Sequence, residues 1–261
     1  MIRMNRMKKL TLPRHLVFGL LLLIVGAATG TAQWSARPSI GVQTMWFNGN
    51  NAIRQPISPG SDRDLPLGGG MNGTHPGLQL QLELLPSAES AFRFPISLEA
   101  FSLVGKTTFA ANPDVDQRKR RWLFRHSAEV YSVGAGVTYN LVDGLPSLYV
   151  SGQGKANFIT SSDLLSRIYY SDNGSVIVER TVHPDTTNKT RFGAYIEIGS
   201  QVEFFEPLLL DFSIGYGALN IGGRETDPAT QRNLLVVDNQ RRDPETIIGF
   251  IGVNFSIIWK L

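Results

Sequence analysis

The chain has 261 residues, 42% apolar and 18% charged, with no cysteine, which excludes a disulfide scaffold, a thiolate nucleophile and any cysteine-ligated metal. Its formal charge of +3 belongs to the N-terminus, where Arg3, Arg6, Lys8, Lys9 and Arg14 stand with no acid among them. Without residues 1–32 the chain has 20 basic against 22 acidic residues, a net of −2, which excludes the sustained positive surface that nucleic-acid binding needs.

In chain order, residues 1–32 predict a cleaved secretory signal peptide. The basic stretch is followed by a thirteen-residue apolar run over 16–28, and Gly30-Thr31-Ala32 supplies small residues before Gln33. The alternative is a membrane anchor, but thirteen helical residues span about 20 Å against the roughly 30 Å of a bilayer core.

From residue 39 onward the apolar pattern has period two, the signature of half-buried strands. Ile40, Val42, Thr44 and Trp46 share a face over 39–47. Leu78, Leu80, Leu82 and Leu84 interleave with Gln79, Gln81 and Glu83. Phe94, Ile96, Leu98 and Ala100 share a face in 92–104, and Tyr131, Val133, Ala135, Val137 and Tyr139 do so in 128–141. The same alternation recurs over 147–159, 192–205, 208–218 and 246–259. Eight strands follow, most of them longer than the 5–6 residues usual in soluble sheets and matched to the roughly 9–11 that cross a bilayer.

The connections strengthen this reading. They run 48–76, 86–91, 105–127, 142–146, 160–191, 206–207 and 219–245, alternately long and short. The short ones carry turn residues: Pro86-Ser87-Ala88, Asp143-Gly144 and Glu206-Pro207. Up-and-down barrels of the outer membrane have this asymmetry, with short periplasmic turns and long outer loops. The predicted fold is therefore all-β: one eight-stranded antiparallel up-and-down transmembrane barrel over 33–261. Trp46, Tyr139, Phe158, Phe204 and Trp259 sit near strand ends as interfacial aromatics do. Arg167 to Tyr170, Ser171-Asp172-Asn173-Gly174 and Ser175 to Arg180 read as a hairpin extending the fifth and sixth strands outside the cell. A ten-stranded barrel is the alternative, and 231–238 reads as a further rim strand.

The signal peptide, the eight amphipathic strands and the terminal strand Phe250-Ile251-Gly252-Val253-Asn254-Phe255-Ser256-Ile257-Ile258-Trp259 resemble the small outer-membrane β-barrel domain proteins, the OmpA/OmpX-like and PorT-like superfamily. The resemblance covers 39–261 and is architectural. It implies a fold and a bacterial outer-membrane location, and carries over no functional residue. The chain ends Trp259-Lys260-Leu261 rather than on the terminal phenylalanine common in such barrels.

An eight-stranded barrel has an interior just wide enough for side chains to fill. The inward positions predict a polar lumen network of Glu83, Glu99, Lys155, Glu197, Glu203 and Asp211, with Gln79, Gln81, Gln153 and Gln201 beside it and Arg93 near a periplasmic end. Buried charge needs pairing, so Lys155 is expected to be the hub, on Glu99 or Glu197. Small inward residues, Gly134, Gly136, Gly193, Gly199, Gly215, Gly217 and Gly252, relieve crowding.

Outside the lumen, Gln117-Arg118-Lys119-Arg120-Arg121-Trp122 lies above the expected outer interface. It reads either as a solvated loop or as a contact for lipopolysaccharide phosphates, with Trp122 as an interfacial anchor and Arg241-Arg242 contributing from the last loop. A rim hydrolase would need a histidine base. His126 and Ser127 are adjacent on a strand and face opposite ways, leaving Ser161 or Ser162 as nucleophiles from elsewhere. His75, His126 and His183 are dispersed, so no metal and no cofactor is expected. The expected function is non-enzymatic, a structural or surface-interaction barrel with a closed polar lumen. Its expected partners are outer-membrane lipids, lipopolysaccharide and a protein of the envelope, and no nucleic acid. Alternatives are an accessory subunit of a secretion or assembly complex, a small-solute transport barrel, and a rim lipid or peptide hydrolase.

Overall fold

The computed structural model describes residues 34–47, 53–56, 64–68, 71, 73–87, 89–105, 108–113, 119–142, 144–170, 176–182, 190–224 and 245–260. For 53–56, 64–68, 108–113, 119–126, 163–170 and 176–182 the description is of backbone path and pairing. The signal-peptide region, the rim strand at 231–238, Arg118, His183 and Arg241-Arg242 lie outside the described residues.

Twelve strands are described: β1 (Ser35–Phe47), β2 (Ile53–Pro56), β3 (Asp64–Gly68), β4 (Gly73–Leu85), β5 (Phe92–Val104), β6 (Thr108–Pro113), β7 (Lys119–Val142), β8 (Ser147–Tyr170), β9 (Val176–Val182), β10 (Thr190–Phe205), β11 (Leu208–Gly222) and β12 (Gly249–Trp259). Eight of them form the wall. Following antiparallel pairings, β1 neighbours β4, then β5, β7, β8, β10, β11 and β12 follow, and β12 returns to β1. Val42 opposes Phe255 on one side and Leu78 on the other, so the ring closes without an edge. This is the eight-stranded barrel the alternation predicts; the ten-stranded alternative is not realised, because β9 stands outside the wall.

The wall strands alternate inward and outward as the sequence pattern requires, save that in β4 Leu82 and Glu83 are both buried. In β12, Phe250, Gly252, Asn254, Ser256 and Ile258 are buried, while Ile251, Val253, Phe255 and Trp259 are exposed. The pattern breaks at the end of β10, where a register shift between Glu203 and Phe205 precedes a two-residue turn and Val202 to Phe205 are all exposed.

Two elements depart from the sequence expectation. Residues 105–127 and 160–191 are not merely connections: β7 and β8 are 24 residues each, well beyond the roughly 9–11 that cross a bilayer. Their outer halves pair from Glu129–Ser161 up to Arg120–Tyr170, flanked by β6 on β7 and β9 on β8. The result is a four-stranded antiparallel blade standing above the wall, and the β2–β3 hairpin approaches it through β3. Above the bilayer a strand needs no apolar face, so the alternation signal fades at Lys119–His126 while backbone pairing continues. The hairpin expected at 167–180 pairs as predicted, Tyr169 opposing Val176 and Arg167 opposing Val178. Its second arm, however, is a separate strand rather than the start of β10.

Candidate functional site: the filled lumen and its two surfaces

The lumen is layered. At the end carrying the short turns, β4 and β5 bring Glu83 and Arg93 together; Arg93 Nη1 donates to both carboxylate oxygens at 2.9 and 3.0 Å. Gln201 of β10 donates across the barrel to Glu83 Oε1 at 3.3 Å. The Arg93 guanidinium also stands 4.7 Å from the centre of the Tyr149 ring, a cation–π distance, and the Tyr149 hydroxyl donates to Asp211 Oδ2 at 3.0 Å. Thus β4, β5, β8, β10 and β11 are cross-linked at one level.

The middle layer is centred on Lys155. Its ammonium donates to Glu99 Oε1 and Oε2 at 2.7 and 2.9 Å and lies 4.6 Å from the Tyr195 ring centre. Of the two partners expected for Lys155, the structure selects Glu99. Glu197 is held instead by neutral donors: Ser213 Oγ at 2.7 Å, Asn254 Nδ2 at 2.8 Å and Gln153 Nε2 at 3.4 Å. Among the described residues no cation lies within ion-pair distance of Glu197 or Asp211. The ring of Tyr195 fits because its neighbours lack side chains: a Cβ on Gly252 would stand 2.6 Å from the hydroxyl, and one on Gly215 or Gly217 2.8 Å from the ring.

The outer third of the lumen is apolar, which the expectation of a polar interior did not include. Met45, Phe47, Phe101, Leu103, Val130, Ile159, Leu219, Ile248 and Phe250 form one buried cluster with Met71 and Tyr195. Phe250 stacks on Tyr195 at 5.6 Å and meets Phe47 edge-on at 5.9 Å. A third buried ion pair lies at this outer level. Arg191 donates through Nε and Nη2 to Glu245 at 2.8–3.1 Å, and Asn220 Nδ2 adds a bond to Glu245 Oε1 at 2.7 Å.

Five of the six residues expected in the lumen network are therefore buried, at 3–8% exposure, and bonded inside the barrel: Glu83, Glu99, Lys155, Glu197 and Asp211. Glu203 is not. It falls at the register shift by the β10–β11 turn, where alternation fails, and it faces solvent 3.3 Å from Lys260. Arg191, Glu245, Asn220 and Tyr149 were not singled out by sequence. Arg191 has the parity of Glu197 and Tyr195 and so was legible as inward; Glu245 precedes β12 and no periodicity marks it.

His75 is buried with both ring nitrogens engaged. Nδ1 accepts the Val104 N–H at 3.2 Å, and Nε2 therefore carries the proton it donates to the Met71 carbonyl at 2.7 Å. A histidine so held has no nitrogen left to act as a general base. Of the basic run, Lys119 to Trp122 lie in β7, within the blade rather than in a loop.

The outside of the wall has the opposite character. Ile40, Val42, Leu78, Ile196, Ile198, Phe212, Ile214, Val253 and Phe255 are exposed, with Ile196 at 64% and Tyr216 at 65%. Trp46 stands at the outer end of this band; Trp34, Phe92, Tyr139, Phe204 and Trp259 stand at the other. A continuous apolar belt of this kind is not tolerated in water, and it is what hydrocarbon requires of a barrel flanked by aromatic girdles.

The chain is a transmembrane β-barrel of the outer-membrane type.

No family model matches the sequence, and no curated protein matches it. Similar solved structures include Neisserial surface protein A (9% identity, 87% of this chain and 99% of that one, TM-score 0.40). Others are the attachment invasion locus protein Ail of Yersinia pestis in complex with the heparin analogue sucrose octasulfate (11%, 86% and 96%, 0.36) and the outer membrane protease OmpT of Escherichia coli (9%, 88% and 94%, 0.34). At these identities and scores the likeness transfers no residue and no activity.

Proposed function

We propose that this protein is a non-enzymatic barrel whose sealed lumen serves stability and whose work is done at its outer surface. The observation that carries the reading is the filling of the lumen at three successive levels: Arg93–Glu83 at the periplasmic end, Lys155–Glu99 in the middle and the Phe47–Phe250–Leu103 cluster at the outer end. Ion-pair layers could let single waters through, but a cluster of packed aromatic and aliphatic side chains has nothing to hydrate an ion. A transport role for hydrophilic solutes is disfavoured on that ground. The engagement of both His75 nitrogens removes one of the three histidines a rim hydrolase could use.

The polar half of the lumen is hydrated from the periplasm in this reading. Arg93 Nε and Nη2, Asp211 Oδ1 and Asn254 Oδ1 have no protein partner, and all lie below the apolar cluster. Buried groups of this kind are met by ordered water. Because the chain has no cysteine of its own, the seal is testable with one introduced thiol. Ser213→Cys places it in the middle layer, and Thr230→Cys, in the last long connection, serves as the external reference. A membrane-impermeant thiol reagent added to intact cells is expected to label the Thr230 variant and leave the Ser213 variant unlabelled. Labelling of both at similar rates would contradict the seal.

A further inference from the structure

Met71 stands in the first long outer connection, yet it is 1% exposed and belongs to the apolar cluster that closes the outer end of the lumen. A buried histidine holds it there. The His75 imidazole lies between two backbone groups: Nε2 donates to the Met71 carbonyl at 2.7 Å, and Nδ1 accepts the Val104 N–H at 3.2 Å. The ring packs at 5.0 Å on Phe47, which in turn meets Phe250 of the cluster. An imidazole of β4 thus ties the incoming connection to β5 and to the apolar seal.

This arrangement suits only the neutral ring. Nδ1 accepts because it carries no proton, and a protonated imidazole carries one on each nitrogen. Nδ1–H would then point at the Val104 N–H, donor against donor. The bond to the Met71 carbonyl would by itself gain from the charge, but both nitrogens belong to one rigid ring. Turning Nδ1 away from Val104 withdraws Nε2 from Met71. The charge would also lie among apolar groups. At this level the inward side chains are Met45 and Phe47 from β1 and Phe101 and Leu103 from β5, with Met71 from the connection. The ionisable groups around the cluster are engaged elsewhere: Glu99 of β5 with Lys155 of β8, and Arg191 of β10 with Glu245. Among the described residues no carboxylate lies within ion-pair distance of the ring. A buried charge without a partner forces its surroundings to open. The ladders fix β4 between β1 and β5, so the partner that can leave is Met71.

We propose that His75 is an acid-sensitive latch: neutral, it docks the first long outer connection on the outer end of the lumen through Met71, and protonated, it releases that connection. The outer surface then differs between neutral and acid surroundings, while the ion-pair layers below stay in place. The inference rests on the reading of the outer surface as the working face, and not on the seal.

The test is methionine methyl NMR of the full chain in mild detergent at about pH 7.5 and about pH 4.5, on either side of the ordinary imidazole value of about 6.5. Met45 and Met71 are the methionines beyond residue 7, and both lie in the cluster, so Met45 reports whether the cluster itself survives. Met71→Leu assigns the signals. In acid the Met71 methyl is expected to move to the narrow signal of a free side chain. Its docked-to-free ratio should fall at least about tenfold, the effect of one buried polar group left without a partner. Met45 is expected to stay. His75→Gln offers a neutral amide that takes up no charge, and its Met71 signal is expected to be the same at both pH values. Heat-modifiable mobility confirms that the wild-type barrel is folded at both. A wild-type Met71 signal unchanged in acid overturns the proposal. So does joint movement of Met45 and Met71, which would mean a general loosening, and so does an acid response that survives in His75→Gln. A lumen that conducts at neutral pH would overturn the sealed-barrel reading and leave this result intact.

Discussion

Lys155→Met is expected to lower the unfolding free energy of the barrel by about 3–5 kcal/mol, the usual cost of removing one partner from a buried ion pair. Lys155 and Glu99 are both almost wholly buried, and the ammonium donates to both carboxylate oxygens. With the lysine gone, Glu99 keeps the amide of Gln79 at 3.4 Å, a long bond that cannot compensate an interior charge. The double variant Lys155→Met with Glu99→Leu removes both charges and is expected to recover most of the loss, because a well-packed apolar pair costs little where an unpaired charge costs much. Urea titration followed by heat-modifiable mobility reads both variants. A single variant as stable as the wild type, or a double variant no better than the single, would show that the pair does not organise the middle layer.

Arg191→Met is expected to act at the outer end and to show itself in the last long connection as well as in overall stability. Arg191 is the second residue of β10, and Glu245 ends the connection that leads into β12. Nε and Nη2 of the guanidinium fasten that connection to the wall through both carboxylate oxygens, and the Asn220 amide bonds the same carboxylate. The expected cost is again about 3–5 kcal/mol, the usual effect of removing the cation from a buried ion pair. Cleavage by an external protease within residues 225–244 should become faster in the variant, since opening of this segment no longer breaks the ion pair. Glu245→Gln keeps an acceptor for Arg191 and should lie between variant and wild type. Cleavage at the wild-type rate in Arg191→Met would mean that the connection is fastened elsewhere.

The wall was legible in the sequence because the bilayer forces a period-two code onto every crossing strand. Leu78 to Leu84 is readable without coordinates: four leucines take one parity and Gln79, Gln81 and Glu83 the other, although Leu82 is covered rather than exposed. The same parity placed Glu83, Glu99, Lys155, Glu197 and Asp211 inside, and it singled out Lys155 as a hub. It failed at Glu203, where a register shift at a turn released the side chain from alternation. What happens above the membrane was less legible. No face of β7 above Ser127 needs to be apolar, so Lys119–His126 had the look of a loop, and the blade emerges only from the pairing with β6 and β8. The apolar seal was hidden for a related reason. Phe47, Leu103, Leu219 and Phe250 are inward residues near strand ends, and hydrophobic side chains at such positions read as ordinary strand formers. Glu245 could not have been found: its partner lies 54 residues away and no local pattern marks it.

The layering separates two jobs within one wall. Below, charged and amide groups satisfy one another and water. Above, packed rings exclude water. The most direct test of the seal is the conductance of the purified wild-type barrel in a planar bilayer. A flat current baseline at every applied voltage, with insertion verified independently, is the result predicted by the Phe47, Leu103 and Phe250 cluster. Reproducible ohmic steps from the wild-type protein would contradict it.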